Sequence, residues 1–397
     1  MTTRPVIRLR PKTKPQAIRH GFPWVFADEI VTDRRTRAIV PGTFAVLEDP
    51  ERRPLGLVTV NPNSKIIGRV MDADPDAQID AAWLAARLAR ALAMRTRLYD
   101  QPFYRLVHAE ADGLPGLIID RFGDAAVIQP NAAWADQMAD QIAAALADVT
   151  GVSTVILNGQ GRARGLEGLS ERMEVLTGSA PVAPLPVPMN GAIYLADLMG
   201  GQKTGLFYDQ RPNHAFAQRL AKGRVLDVFS HVGGFGLAML AAGADHATCI
   251  DGSAPALHLA REGAVAMGME ARLETVQQDA FAALEAMATE GRQFDVVICD
   301  PPAFAPAKPA LEAGLRAYER VAKLAAPLVA PGGYLGLCSC SHAADLTSFR
   351  NASARGIGRG GRRAQLIHSG QAGPDHPVLP QLAETGYLKA LFFRLDG

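Results

Sequence analysis

Cysteine is scarce in this chain, with four among 397 residues. All four (Cys249, Cys299, Cys338, Cys340) lie in the C-terminal half and none shows the paired spacing of a zinc site. A disulfide scaffold is excluded, reduced thiols are expected, and no resident metal is called for. An excess of one charge sign is also missing: 41 basic and 40 acidic side chains leave a formal net charge of +1. That excludes a polycation of the histone type, although not a local basic face. Arginine outnumbers lysine 33 to 8, which suits phosphate and base edges but which a genome-wide codon bias would give equally. The longest uncharged run, Leu324 to Ala344, is broken by Pro327, Pro331, Gly332, Gly333 and Gly336, so it is no uninterrupted membrane helix. The basic N-terminus has no apolar stretch behind it, as a signal peptide would need. A cytoplasmic protein with no membrane partner is expected. At 48% hydrophobic and 20% charged residues, disorder, coiled coil and collagen are excluded as well.

What is present divides the chain in three. Length predicts two to three domains at about 150 residues each. Residues 4–72 read as short strands, Pro5–Leu9, Thr43–Leu47, Pro54–Val60 and Ile66–Val70, punctuated by Gly and Pro as in a small β-barrel. Residues 74–187 read as a small α+β domain. It has an amphipathic helix over Ala81–Leu98, strands at Tyr104–His108, Gly116–Asp120, Ala125–Gln129 and Thr154–Leu157, and a helix over Trp134–Leu146. Ala180–Pro188 carries four prolines and reads as an extended connector. From residue 188 to 397, strands alternate with helices. The strands are Arg224–Phe229, Ala247–Ile250, Arg272–Val276, Asp295–Cys299 and Tyr334–Cys338; the helices are Phe235–Ala242, Ala254–Met267, Ala280–Thr289 and Glu312–Leu328. This predicts an α/β domain with a parallel sheet covered on both faces. Arg350–Arg363, with five arginines and four glycines, reads as a basic, mobile segment. Boundaries are placed at 1–73, 74–187 and 188–397.

Val225–Gly236 (VLDVFSHVGGFG) carries the strongest chemical signal: an apolar strand, an acid at its end, and a Gly-rich turn opening a helix. It is not the G-x-G-x-x-G dinucleotide fingerprint. Asp227 would repel a diphosphate and suits a ligand bearing an ammonium group, such as the methionine moiety of S-adenosylmethionine. Asp251 ends the second strand, where a carboxylate can accept both ribose hydroxyls; Asp279-Ala280 follows the third, where an adenine edge can be read. Each acid alone is equally a helix N-cap; three in succession point to a ligand. Asp300-Pro301-Pro302-Ala303-Phe304 forms a rigid corner whose carbonyls and Phe304 can hold a flat base. On the fifth strand Cys338 and Cys340 share a face, which favours a thiol nucleophile there, whereas Cys249 and Cys299 read as buried apolar residues. Met1–Arg19 holds six basic residues and no acid, a local basic face that is equally a solvated one.

At these residues the chain resembles the class I S-adenosylmethionine-dependent rRNA large-subunit methyltransferase I family. The likeness covers nearly the whole chain through Arg19–Phe26 (RHGFPWVF), Glu110–Arg121 (EADGLPGLIIDR), Gly201–Arg211 (GQKTGLFYDQR), the Gly-rich turn, Asp300–Phe304, Cys338–Ser341 and Asp375–Pro380. It implies a PUA-like domain, a middle α+β domain and a Rossmann-like methyltransferase domain. The PUA-like domain so implied would have Arg8, Arg10, Lys12 and Arg19 grip RNA phosphates, with affinity falling as salt rises. The cofactor implied is S-adenosyl-L-methionine, held by Gln210, Arg211, Asp227, Phe229, Ser230, Gly233, Gly234, Asp251, Ser253, Asp279, Ala280 and Asp300. The reaction implied is carbon-5 methylation of a cytosine in 23S rRNA through a thiolate adduct at carbon 6. Spacing within the family points to Cys340 as nucleophile, with Cys338 second and Asp300 hydrogen-bonding a base seated against Pro301, Pro302 and Phe304. A second cysteine beside the first proline, which some such enzymes use for release, is missing here.

Two other readings remain at this point. An N-methyltransferase acting on an exocyclic amine would use the acid-Pro-Pro corner without a cysteine, but Ala303 intervenes before the aromatic residue and two cysteines sit on strand five. An RNA-binding module with an inactive methyltransferase domain would lack part of the cofactor elements, and none is missing. The target nucleotide and the oligomeric state, a homodimer included, are left open by the sequence.

Overall fold

The computed structural model describes residues 4–201 and 205–396. Gln202–Thr204, inside the Gly201–Arg211 segment, lie outside the described residues. The described chain divides into two compact units, one of residues 4–182, 198–201 and 374–385, the other of 183–197, 205–373 and 386–396.

The first unit begins with a curled five-stranded sheet in the order Val6–Arg8, Thr43–Glu48, Pro54–Val60, Ile66–Asp72, Trp24–Phe26. A bridge between Leu9 and Ile30 links its two edges. Inward positions alternate as the pleat requires, and Ile7, Val25, Ala45, Leu47, Val58, Val60 and Ile67 form the core. The strand Trp24–Phe26 is not evident from periodicity, being three residues long. A second five-stranded sheet follows, in the order Met173–Thr177, Thr154–Asn158, Ala125–Pro130, Leu117–Phe122, Phe103–His108. Helix Ala81–Leu98, capped by the Asp80 carboxylate, joins it through Leu84, Leu88 and Ala91. The expected helix over Trp134–Leu146 is two, Ala133–Gln137 and Ala139–Thr150, meeting at Met138. A buried ionic network closes this unit. Arg95 pairs with Asp112 at 2.5 and 2.8 Å and donates to the Asp375 carbonyl, while Arg105 pairs with Asp120 and its amide donates to the Asp375 carboxylate. Two of the segments behind the family likeness, Glu110–Arg121 and Asp375–Pro380, are therefore joined by structure. Burial holds the His108 imidazole well below its ordinary value.

The second unit is doubly wound. Its sheet consists of β1 (Arg224–Val228), β2 (His246–Asp251), β3 (Leu273–Gln277), β4 (Phe294–Cys299), β5 (Val329–Ser339), β6 (Ala364–Gly370) and β7 (Lys389–Leu395), in the order β3-β2-β1-β4-β5-β7-β6. All neighbours are parallel except at β7, which runs antiparallel to both β5 and β6. The helices are α1 (Arg211–Gln218), α2 (Gly234–Ala241), α3 (Ala254–Ala266), α4 (Ala280–Thr289), α5 (Leu311–Ala325) and α6 (Leu346–Arg359). The sheet order places the carboxyl ends of β1, β2, β4 and β5 along one edge, where open α/β sheets bind ligands.

Two expectations change here. Arg350–Arg363 is not a mobile segment, because it supplies most of α6 and then leads into β6. Its glycines serve close packing: a Cβ at Gly356 would meet the Glu319 carbonyl of α5 at 2.4 Å, and one at Gly360 the Lys323 carbonyl at 2.8 Å. Arg355 and Arg359 both pair with Glu319, and Asp345 caps the helix start. The proline-rich Ala180–Pro188 is only partly a connector. Leu185–Met189 pairs with Ala192–Ala196 through an Asn190-Gly191 turn whose two residues both have positive φ. Pro186 and Pro188 are tolerated because that ribbon has only two strands. Among the described residues, no helix is long and apolar enough to cross a membrane.

Candidate active site

The turn from β1 into α2 is the most strained backbone in the second unit. Phe229, His231 and Gly233 all have positive φ, at 63°, 48° and 81°. Such conformations cost about 1–3 kcal/mol each at non-glycine residues and persist where the surroundings enforce them. Here Ser230 N donates to the Ile250 carbonyl and Gly233 N to the Ser230 carbonyl, which fold the turn back over β2. Gly236 brings α2 against the sheet, since a Cβ there would lie 2.4 Å from Cys249 Sγ. His214 lies against Gly234, its ring edge-on to Phe235 at 4.4 Å, and burial lowers its pKa to about 3, so it is a neutral spacer.

Asp227 sits under this turn and is 1% exposed. Its Oδ2 accepts the Phe235 and Gly236 amides at 3.1 and 2.8 Å, and its Oδ1 has no partner among the described residues. Burial pushes the carboxyl up to about 7 against the pull of those amides, and the charge of Asp251 adds to the rise. An ammonium at Oδ1 would supply the missing donor, so the side chain fits the amino group of S-adenosylmethionine.

At the end of β2, Asp251 accepts the His231 amide at one oxygen and the Ser253 amide at the other, each at 2.8 Å. A carboxylate has about four acceptor sites, so two remain for hydroxyls. Ser253 caps α3 and Asp279 caps α4, accepting from Ala256 N and Ala282 N respectively. Asp279 is exposed beside the buried Ala280. The capping role and the ligand role coexist at this edge. Gln210 is buried at the start of α1, accepts from Asn213 Nδ2, and lies in hydrogen-bond range of the Cys338 thiol. Arg211 lies over the Tyr208 ring at 5.4 Å.

The corner after β4 is tied to the end of β5. Asp300 N donates to the Val228 carbonyl, fixing the corner to β1. Pro301 is buried, Pro302 exposed and Phe304 half-buried. The Phe304 ring packs with Phe229, Phe281 and Tyr318, its centroid 5.0 Å from that of Tyr318. Tyr318 Oη is hydrogen-bonded to Ser341 Oγ at 2.7 Å and accepts from Ser339 Oγ at 2.9 Å and from Phe304 N. Ala305 N in turn donates to Ser341 Oγ. Periodicity and motif spacing do not reveal this hydroxyl cluster.

The two candidate thiols occupy different environments. Cys338 is buried within β5, and burial pushes its thiol well up, with the Asp300 charge in the same direction. Cys340 lies one residue past the end of β5 and is half-buried; the other three cysteines are all buried. Reactive thiols need access as well as a charged neighbour, which Cys340 has and Cys338 lacks. Of the basic residues assigned to RNA, Arg8 pairs with Glu48, Arg19 with Asp49, and Arg10 donates to the Ile30 carbonyl, whereas Lys12 is exposed. Sequence reasoning overlooked Tyr318, Ser339, Ser341, His214 and Lys389. Only Lys389 had a visible signal, as a lysine just before the apolar run Ala390–Phe393 in a lysine-poor chain.

Comparison with known proteins agrees with this geometry. Residues 140–394 match the S-adenosylmethionine-dependent methyltransferase family and residues 7–73 match a PUA-like domain. The chain is 36% identical over 406 residues to a ribosomal RNA large subunit methyltransferase of Deinococcus radiodurans, covering 99% of this chain and 98% of the relative. It is 32% identical to the ribosomal RNA large subunit methyltransferase I of Klebsiella pneumoniae, covering 97% of each. Among solved structures, a SAM-dependent methyltransferase from Streptococcus mutans superposes with a TM-score of 0.82 at 18% identity, over 98% of this chain and all of that one, which establishes the fold.

Proposed function

Because this chain belongs to the S-adenosylmethionine-dependent methyltransferase family, in the group of the ribosomal RNA large subunit methyltransferases I, we propose that it methylates carbon 5 of a cytosine in large-subunit ribosomal RNA. The observation that carries the finer reading is Cys340, the one thiol of four that is not fully buried, standing at the end of β5 beside the corner after β4. S-adenosylmethionine supplies the methyl group when bound. Asp227 would hold its ammonium, Asp251 its ribose, and Asp279-Ala280 its adenine, with Gln210, Arg211, Phe229, Ser230, Gly233, Gly234 and Ser253 lining the same edge.

Carbon 5 of cytosine is a weak nucleophile. The Cys340 thiolate adds at carbon 6, and the electron pair displaced from the ring double bond makes carbon 5 an enamine-type nucleophile. Asp300 hydrogen-bonds the ring and favours its protonated, electrophilic form. Once carbon 5 has taken up the methyl group and become tetrahedral, loss of its proton to a base restores the ring double bond and expels the thiolate from carbon 6. Pro301, Pro302 and Phe304 seat the base, and the PUA-like residues 1–73, preceding a middle segment 74–187 and the methyltransferase segment 188–397, contact RNA phosphates through Lys12 and the neighbouring arginines. The test is Cys340→Ser. Transfer should be abolished while calorimetric binding of S-adenosylmethionine is retained, and wild-type product should map by mass spectrometry to 5-methylcytidine. Full activity in Cys340→Ser, Cys338→Ser and the double variant would refute the thiolate route.

A further inference from the structure

Lys389 opens β7 and stands in register opposite Ser339, the residue immediately before Cys340. It is only 8% exposed, in a strand whose one other charged residue, Arg394, is exposed. Its Nζ donates to the backbone carbonyls of Ser341 at 2.6 Å and Ala344 at 2.8 Å. An ammonium has three hydrogens, so one remains for the neighbouring thiol. Among the described residues, no carboxylate makes ion-pair contact with this Nζ. A buried cation without a partner is expensive, and such groups either lose their proton or sit where an anion forms. Burial does push Lys389 down, to about 8, and the two groups that pull it back up are Cys340 and Asp345. Tyr318, facing Cys340 from α5, has its phenol raised by burial and stays neutral. Asp345 is committed to capping α6, Asp300 faces Cys338, and His342 packs on Tyr387.

We propose that Lys389 is a positioning residue for methyl transfer: its ammonium, anchored on the Ser341 and Ala344 carbonyls, stabilises the Cys340 thiolate and holds the turn that presents it. The inference rests on reading Cys340 as the nucleophile. In the ionisation step the thiol gives its proton to water, the S–H electron pair stays on Sγ, and Lys389 keeps its own proton.

The experiment reads the thiol directly. The full-length protein is alkylated with iodoacetamide from pH 6 to 9.5, and the Cys340 peptide is quantified by mass spectrometry, with the buried Cys249, Cys299 and Cys338 as internal references. Removing the charge in Lys389→Met should move the Cys340 midpoint up by about one pH unit, a roughly tenfold slower alkylation at pH 7. Lys389→Arg should restore most of the rate. Cofactor binding measured on each variant distinguishes loss of charge from loss of fold. An unchanged midpoint in a Lys389→Met protein that still binds S-adenosylmethionine overturns the proposal. If that variant does not bind cofactor, a wild-type midpoint at or above about 8.5, the free-thiol value, overturns it instead. The two readings fail separately: a normal shift on Lys389→Met together with an active Cys340→Ser variant would retain the Lys389–Cys340 pair and reject Cys340 as nucleophile.

Discussion

Asp227 is the residue whose perturbation tests most of the site at once. Its carboxyl moves from 3.8 to about 7 because it is buried, and two amides on Oδ2 offset only part of that cost. Three pH units at 1.36 kcal/mol each put roughly 4 kcal/mol of destabilisation on the cofactor-free protein at alkaline pH. The sign follows from proton counting. Between about pH 4 and 7 the folded protein holds a proton that the unfolded chain has released, so stability falls as pH rises through that window and levels off above it. An ammonium at Oδ1 binds the ionised form, so affinity for S-adenosylmethionine should rise about tenfold per pH unit up to 7. It should fall again above about 8, where a free α-amino group deprotonates. The Asp227→Asn variant lacks the buried charge. It should therefore be more stable than wild type without cofactor at pH 8, an advantage that disappears toward pH 4. It should also bind S-adenosylmethionine about 100-fold more weakly, close to 3 kcal/mol. Isothermal titration calorimetry from pH 5.5 to 9, with urea unfolding at pH 4 and 8, measures both. Wild-type affinity that is flat from pH 5.5 to 7.5, or equal affinity in the variant, would refute the assignment of Asp227.

Two further substitutions probe the supports of the site. Gly236→Ala places a methyl 2.4 Å from Cys249 Sγ, a fully buried atom between α2 and β2. It should cost about 1–3 kcal/mol in chemical denaturation and weaken cofactor binding through the displaced turn; stability equal to wild type would show that α2 can shift freely. Tyr318→Phe removes the hydroxyl shared by Ser339, Ser341 and Phe304 N. Its loss should cost about 1–3 kcal/mol and lower the transfer rate while leaving S-adenosylmethionine affinity within twofold of wild type, because no cofactor-edge residue depends on it.

The alternating strand–helix pattern after residue 190 was legible because each parallel strand is a short apolar run bounded by Gly or an acid. α4 coincides with its predicted span, α3 ends one residue earlier than expected, and α2 starts and ends one residue earlier. β6 and β7 were not legible. β6 (AQLIHSG) is largely exposed and β7 (KALFFRL) is buried on both faces through Phe393, so neither shows strand periodicity. The glycines of α6 misled for a related reason. Glycine lowers helix propensity in an isolated segment, but at Gly356 and Gly360 the absence of a side chain lets α5 approach, and packing outweighs the local cost.

Residue identity and local spacing were enough to mark a methyltransferase-type sheet edge, its three acids, its rigid Asp-Pro-Pro corner and two cysteines at the end of strand five. Those features are written within short stretches of chain, where backbone geometry and side-chain chemistry are local. Only tertiary structure decided which thiol is accessible and which is buried. The same holds for the Asp227 Oδ1 that is left without a donor, and for a lysine on the last strand that stands beside a cysteine some fifty residues earlier. Burial and long-range contact set those properties, and both depend on how β7 inserts antiparallel beside β5, a placement that no local signal in the chain records.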